Sequence, residues 1–165
     1  MPVFSVDGWL LIALNVGGIL AAHLSLAKLS IALPSRLFES DTWWSQTFKW
    51  EANGKIYEKI FFIKKWKKYL PDGAALFKDG FQKKSLTDTS VEYYDQFITE
   101  TRRAEFSHWI QILPAAVFYL FNPLWASLVI TAYFILSNGF PIVAQRYVRP
   151  KLKKLKKRTE KKRAS

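Results

Sequence analysis

The stretch Glu100-Thr-Arg-Arg-Ala-Glu-Phe-Ser-His-Trp-Ile-Gln-Ile-Leu-Pro114 joins a charged segment to an apolar one. Its first nine residues hold two glutamates, two arginines and one of the chain's two histidines. Residues three or four positions apart share a face of a helix, so Glu105 and His108 are expected to be neighbours. Ionisable groups at the edge of a membrane segment are costly to desolvate, which makes this stretch a candidate functional site.

Two apolar regions lie on either side of the charged segment. Half of the 165 residues are hydrophobic, and they concentrate in residues 9–33 and 106–145. Both regions approach or exceed the ~20 apolar residues that cross a bilayer as a helix. The chain before residue 9 carries Asp7 and no lysine or arginine, unlike the basic start of a signal peptide. We therefore predict an all-α integral membrane protein in which residues 9–33 form the first span.

The second apolar region is interrupted by Asn122-Pro123, which is a turn signal. This predicts a helical hairpin of residues 106–121 and 124–145. Pro114 is expected to kink its first helix, and Gly139 and Pro141 to break its second. Together with the first span, the pattern predicts about three transmembrane helices in a single membrane domain, residues 1–165.

Residues 34–107 form a polar segment that is predicted to be cytoplasmic or interfacial. Within it, apolar residues recur at helical spacing over residues 56–70, opposite a lysine-rich face. A basic amphipathic helix of this kind is typical of the membrane interface. Turn residues border it at Asn53-Gly54 and at Pro71-Asp72-Gly73. A further helix is expected from about Ser90.

The net charge of +12 is concentrated at the C-terminal end, where residues 150–165 carry nine lysines and arginines and one glutamate. Beside a membrane span, such a tail indicates contact with anionic lipid headgroups and a cytoplasmic location. Nucleic acid is not expected as a partner, because no aromatic residues for base stacking are interleaved with the basic ones. With three spans and a cytoplasmic tail, the N-terminus is expected outside. A model in which residues 106–145 are re-entrant also places the tail and residues 34–107 on one side, so the charge pattern does not separate the two.

Several kinds of site are excluded or not indicated. The chain contains no cysteine, which excludes thiol catalysis, disulfide bonds and cysteine-ligated zinc. It lacks a Gly-x-Ser-x-Gly elbow, a phosphate-binding glycine-rich loop, a dinucleotide fingerprint and a His-Glu-x-x-His motif. No cofactor is therefore predicted. A lone histidine in mid-span, as His23 is, more often bonds another helix than serves as a ligand.

The pair Glu105 and His108 is the first candidate for chemistry. A carboxylate three residues before a histidine can orient the imidazole and raise its basicity, as a general base requires. The spacing also occurs among metal-binding carboxylate proteins, in which Glu100 would be a further ligand. By spacing alone, an interfacial salt-bridge cluster with Arg102 and Arg103 is the alternative interpretation.

A second candidate is Gln145-Arg-Tyr-Val-Arg-Pro150. Two arginines three positions apart form a fork for a phosphate or carboxylate, although a positive anchor at the end of a span has the same composition. Trp66 and Lys67 precede Asp72, which is expected to cap a turn or, as the alternative, to act as a catalytic carboxylate. Asn138 is expected to bond another helix or to hold a substrate.

The Glu100–Pro114 stretch also resembles the signature of the glycosyl-4,4′-diaponeurosporenoate acyltransferase family. These are small bacterial membrane enzymes of staphyloxanthin-type carotenoid synthesis. Further blocks stand in the same order, and the resemblance covers roughly residues 23–152. The blocks are Asn53-Gly-Lys55, Lys65-Trp-Lys67 to Asp72-Gly73, and Pro141 to Leu152. Arg102 stands where the family typically has lysine, which keeps the charge.

The resemblance implies transfer of a long-chain fatty acyl group onto a hydroxyl of a glycosylated carotenoid or similar glycolipid at the bacterial cell membrane. The expected partners are then a long-chain acyl donor and an amphiphilic glycosylated acceptor. His108, Glu105 and Glu100 are the catalytic candidates. The substrate-binding candidates are Arg102, Arg103, Trp109, Asn138, Gln145, Arg146, Tyr147, Arg149, Trp66, Lys67 and Asp72.

Two other functions stay open at this point. One is a non-enzymatic membrane scaffold that binds anionic lipid or a partner protein through the basic tail. The other is a metal-dependent lipid-modifying enzyme, with Glu100, Glu105 and His108 as ligands.

Overall fold

The computed structural model describes residues 2–70, 81 and 86–164, and within them it contains helices and no strand. Two of its helices, Gly8–Ala32 and Leu124–Ala164, are long and apolar enough to cross a membrane. This agrees with the predicted all-α membrane protein, but it is one helix fewer than predicted. The helices are α1 (Gly8–Ala32), α2 (Lys55–Lys59), α3 (Ile63–Trp66), α4 (Val91–Ile110) and α5 (Leu124–Ala164).

Helix α1 begins and ends where the sequence predicts. It is apolar on all sides, and its last residue is followed by Leu33 in extended conformation. The residue before a proline is driven out of the helical region by the proline ring, so Pro34 sets this end. Helix α4 also begins as predicted, because the Ser90 hydroxyl accepts a hydrogen bond from the Tyr93 N–H at its N-terminus.

The predicted helix over residues 106–121 is wrong as a single element. Helix α4 ends at Ile110, and residues Leu113–Leu120 form a 3₁₀ helix that has Pro114 in its first turn. Proline has no N–H to donate to the fourth residue before it and is favoured at the start of a helix. The residue therefore separates two helical segments and does not kink one.

The predicted break in the last helix is also wrong, because α5 continues through Pro141 and Pro150 to residue 164. Contacts along its length explain the continuity. Leu152 is buried in one apolar cluster with Tyr94 and Phe97 of α4, and Lys156 binds the Asp95 carboxylate at 2.6 Å. Tertiary packing thus stabilises turns that each lack one backbone hydrogen bond.

The predicted amphipathic helix over residues 56–70 is divided into α2 and α3. Phe62 between them has φ +48°, and its exposed side chain lies beside the fully buried Ile63. Ile63 and Tyr57 both pack against Ala144 and Tyr147 of α5. The chain bends at Phe62 because both apolar side chains are buried against α5, and a straight helix would carry one of them away.

Helix α1 runs antiparallel to residues 103–120 along its whole length. At one end the N–H groups of Val3 and Phe4 donate to the Leu120 carbonyl at 2.8 and 2.9 Å. Near that end, the amides of Asn15 and Asn122 bond each other reciprocally at 2.8 Å. At the other end Arg103 donates to carbonyls at the C-terminus of α1. Together with the stacking of His23 on Phe134 of α5, these contacts bring α1, α4 and α5 together around the two histidines of the sequence.

Gly54 offers a test of how the loop before α2 is fixed. Its φ is +89°, and a Cβ atom there would lie 3.2 Å from the Tyr147 carbonyl oxygen. Gly54→Ala is expected to lower the free energy of unfolding by about 1–2 kcal/mol, because L side chains disfavour this backbone region. Gly139→Ala is the matched control, since a Cβ there meets nothing within 4 Å. Equal unfolding midpoints for the two variants in detergent micelles would contradict this explanation.

Candidate functional site

A buried ionic network joins α4 to α5. Glu105 is fully buried, and its two carboxylate oxygens accept hydrogen bonds from Arg146 and Arg149, each at 2.5 Å. Glu51 is a second buried carboxylate and lies 2.6 Å from the Arg146 Nε atom. The Tyr57 hydroxyl donates to Glu51 at 2.6 Å, and burial followed by this bond raises the Tyr57 pKa above its usual range. The phenol therefore stays a neutral donor.

The two α5 arginines also hold the loop that leads into α2. Arg146 donates to the carbonyls of Trp44 and Gln46, at 2.8 and 3.1 Å. Arg149 donates to the Thr101 carbonyl at 3.1 Å and to the Ser45 carbonyl. The expected open fork for a substrate anion is thus not what the structure shows, because burial forces these donors onto protein acceptors. Charge pattern alone does not distinguish an exposed fork from a buried one.

The two α4 arginines are buried in the same way. Arg103 donates to the carbonyls of Ser30 and Leu33 at the C-terminus of α1, where a cation also offsets the helix dipole. Arg102 donates to Asp41 and to the carbonyls of Phe38 and Glu39. Partial burial raises the Asp41 pKa, but hydrogen bonds from Lys153 and Arg102 outweigh it and leave this pKa lowered.

Glu100 is separated from the Glu105 network. Its carboxylate accepts a hydrogen bond from Arg103 at 3.1 Å. It also lines a cleft of about 430 Å³ together with Ser35, Glu39, Asp95, Gln96 and Thr99. Among the described residues no group of three or more histidines and carboxylates is close enough to bind a metal. The structure therefore does not assemble Glu100, Glu105 and His108 as a ligand set.

The His108 imidazole is hydrogen-bonded to Asn138, an amide that the sequence analysis did not place beside it. The two residues belong to α4 and α5, and the His108 Nδ1 atom lies 2.9 Å from the Asn138 Oδ1 atom. The Asn138 Nδ2 group donates to the Phe134 carbonyl at 2.9 Å, which turns the amide oxygen towards the imidazole. An acceptor at Nδ1 assigns the proton of a neutral imidazole to that atom and the lone pair to Nε2.

A second histidine–amide pair lies beside the first, and sequence reasoning did not single it out as a site. The His23 Nδ1 atom is 2.7 Å from the Gln111 Oε1 atom, and the Gln111 Nε2 group donates to the Ser107 hydroxyl at 2.9 Å. The His23 ring stacks on Phe134, with centroids 5.1 Å apart. The expectation that His23 bonds another segment is confirmed. The only earlier signal was a set of polar residues in apolar sequence.

The other predicted site residues lie in different surroundings. Trp109, next to His108, is 48% exposed, and its Nε1 group points to Glu105 at 3.5 Å. The Tyr147 hydroxyl donates to Glu58 at 2.8 Å, and Trp66 packs against Phe140. Burial lowers the pKa of Lys67, and the nearby positive charge of Lys151 lowers it further. Gln145 is half-buried. Asp72 lies outside the described residues.

The arrangement is suited to proton transfer at the boundary of an apolar layer. The bond to Asn138 fixes the tautomer of His108, and the Glu105 network fixes the position of α4, which carries His108. A neutral imidazole in this state can accept a proton from a substrate hydroxyl.

Comparison with known proteins adds the chemistry. A family model for glycosyl-4,4′-diaponeurosporenoate acyltransferase matches residues 41–158. Two curated relatives of that name, from Staphylococcus aureus strains MRSA252 and USA300, are each 32% identical over 136 residues, 82% of this chain and 82% of theirs. No solved structure matches the chain. The matched segment contains α4, the pair His108–Asn138 and the Glu105 network. Because the family model and these relatives match most of the chain, it belongs to the glycosyl-4,4′-diaponeurosporenoate acyltransferase family and is an acyltransferase.

Proposed function

We propose that this acyltransferase moves a long-chain fatty acyl group onto a hydroxyl of a glycosylated carotenoid or similar glycolipid at the bacterial membrane. The names of the relatives support the class of acceptor. The observation that carries the proposal is the His108–Asn138 pair, because acyl transfer to a hydroxyl needs a base of this kind. An acceptor with an apolar body and a polar head suits a site at the edge of apolar helices.

The proposed reaction uses an acyl thioester as donor. The His108 Nε2 atom takes the proton of the acceptor hydroxyl while the hydroxyl oxygen attacks the thioester carbonyl carbon. The new C–O bond forms and the C–S bond breaks, and the leaving thiolate takes the proton from the imidazolium. The products are an ester and a free thiol, so no oxidant, reductant or other reactant is required.

We assign the buried ionic network to positioning. Glu105 lies about one turn before His108 on α4. Its partners Arg146 and Arg149 lie about two and three turns after Asn138 on α5. Fixing α4 against α5 at this level keeps His108 and Asn138 within hydrogen-bond distance. Trp109 is exposed beside His108 and is the residue that we assign to contact with the substrate.

We also propose three membrane crossings: α1, residues 104–120 and α5. The middle crossing is supported by its antiparallel contacts with α1 from Arg103 to Leu120. Its 3₁₀ part rises about 2 Å per residue, compared with 1.5 Å in an α-helix, so these 17 residues extend about 30 Å, the thickness of the hydrocarbon core. The basic end of α5 is then cytoplasmic, where it meets anionic lipid headgroups, and the N-terminus is outside.

A reconstituted assay tests the function. The full chain in lipid nanodiscs would be given palmitoyl coenzyme A and glycosyl-4,4′-diaponeurosporenoate, and the lipid products would be measured by mass spectrometry. We expect an acceptor mass increased by one palmitoyl chain, together with one free thiol per ester formed. If neither this acceptor nor a simple glycolipid gained the mass of an acyl chain, the proposed donor and class of acceptor would be refuted.

A further inference from the structure

The Nε2 atom of His23 is buried, and the described residues offer it no hydrogen-bond partner. The rest of the side chain is held firmly, by Gln111 at Nδ1 and by Phe134 and Tyr133 against the ring faces and edges. Because the Gln111 Nε2 group donates to Ser107, its Oε1 atom is the acceptor for the His23 Nδ1–H. The unpartnered Nε2 atom therefore carries a lone pair.

An acceptor left unsatisfied in an apolar layer is costly. Buried polar atoms without partners are few in native proteins. A ligand that brings a hydrogen-bond donor to Nε2 would remove this cost.

The position of His23 relates this acceptor to the proposed chemistry. Gln111 binds His23 and follows His108 by three residues at the end of α4. Phe134, on which His23 stacks, precedes Asn138 by four residues on α5. Both histidine–amide pairs therefore face the same junction of α1, α4 and α5, about one helical turn apart, or roughly 5 Å along the axis. His23 is the deeper of the two, since Arg103 marks the charged end of the junction.

We propose that the His23 Nε2 atom binds an O–H or N–H group of a substrate as it enters this junction, so that His23 is a substrate-binding residue for the acyl transfer. This inference rests on the proposed function. Such a donor group exists in both substrates: the sugar hydroxyls of the acceptor, and the amide N–H groups of the pantetheine arm of the donor. The lone pair of His23 recognises either one.

Two substitutions separate binding at Nε2 from the structural bond at Nδ1. His23→Asn places its amide group near the position of Nδ1, which keeps a hydrogen bond to Gln111 and removes the acceptor at Nε2. His23→Gln reaches the position of Nε2 and restores an acceptor there. We expect the asparagine variant to raise KM by about 3- to 10-fold, the value of one hydrogen bond, with kcat little changed. The glutamine variant is expected to recover part of that loss.

The experiment measures KM separately for palmitoyl coenzyme A and for glycosyl-4,4′-diaponeurosporenoate in nanodiscs, with the unfolding midpoint of each variant. A rise confined to one substrate supports the proposal and identifies the group that His23 binds. Unchanged KM values for both substrates in a folded His23→Asn protein overturn it, while wild-type turnover leaves the function itself intact. A lower unfolding midpoint without a change of KM shows a purely structural histidine and also overturns it.

A binding measurement keeps the two proposals distinguishable. Acceptor binding to the His108→Ala protein, with and without His23→Asn, reports on His23 in the absence of turnover. Weaker binding in the double variant supports the inference even if acyl transfer is not detected with these substrates. Equal binding of the acceptor, and equal binding of palmitoyl coenzyme A measured in the same pair of proteins, contradict it.

Discussion

Glu105→Gln is expected to lower the free energy of unfolding by about 3–5 kcal/mol, the usual cost of removing one partner of a buried ion pair. Glu105 is fully buried, and its two oxygens each bind a guanidinium. Glutamine keeps the size of the side chain but removes the charge. Arg149 would then have no carboxylate partner among the described residues, and Arg146 would keep only Glu51. Denaturant unfolding of the purified protein in micelles measures the effect.

Glu160→Gln is the matched control for this prediction. The chemical change is the same, but Glu160 is exposed and pairs with Lys156 at 3.6 Å on the surface of α5. An exposed pair of this spacing contributes about 0.3–0.5 kcal/mol at most. If Glu105→Gln were no more destabilising than Glu160→Gln, the network would not be what holds α4 against α5.

His108→Ala is expected to reduce turnover by about 10²- to 10⁴-fold, the usual contribution of a general base. The unfolding midpoint should fall only by the loss of the hydrogen bond to Asn138, which leaves a folded protein to assay. Initial rates at saturating palmitoyl coenzyme A and acceptor measure the effect in nanodiscs. Turnover close to that of wild type would remove His108 from the mechanism.

Two variants of Asn138 test whether the amide positions the base. Asn138→Leu removes the oxygen that accepts from the His108 Nδ1 atom, whereas Asn138→Asp retains an oxygen there. We expect kcat to fall in the leucine variant and to be partly kept in the aspartate variant. Equal kcat values in folded proteins of both kinds would show that the bond does not orient the imidazole.

The end of α1 and the start of α4 were correctly predicted from the sequence because each depends on neighbouring residues. Pro34 ends α1 through its own ring, and Ser90 begins α4 through its own hydroxyl. The predicted break at Gly139 and Pro141 was wrong because the same local rule was applied where contacts between α5 and α4 compensate for the missing hydrogen bond.

The candidate site was only partly predictable from the sequence, because its contacts join segments that are far apart in the chain. Sequence spacing correctly predicts that Glu105 and His108 are neighbours on α4, but it does not predict the partners that either side chain takes. A buried carboxylate takes the partners that best offset its desolvation, and here those are two guanidiniums on α5. His108 meets Asn138, thirty positions further along the chain.

Sequence alone was enough to predict α1, the charged stretch from Glu100 to Pro114 and the family, since these depend on composition, spacing and order along the chain. The tertiary structure was needed to show that Arg102, Arg103, Arg146 and Arg149 bind protein acceptors, and that each histidine is hydrogen-bonded to a side-chain amide. The physical reason is that the cost of burying a polar group depends on its three-dimensional partners, and these come from segments far apart in the chain.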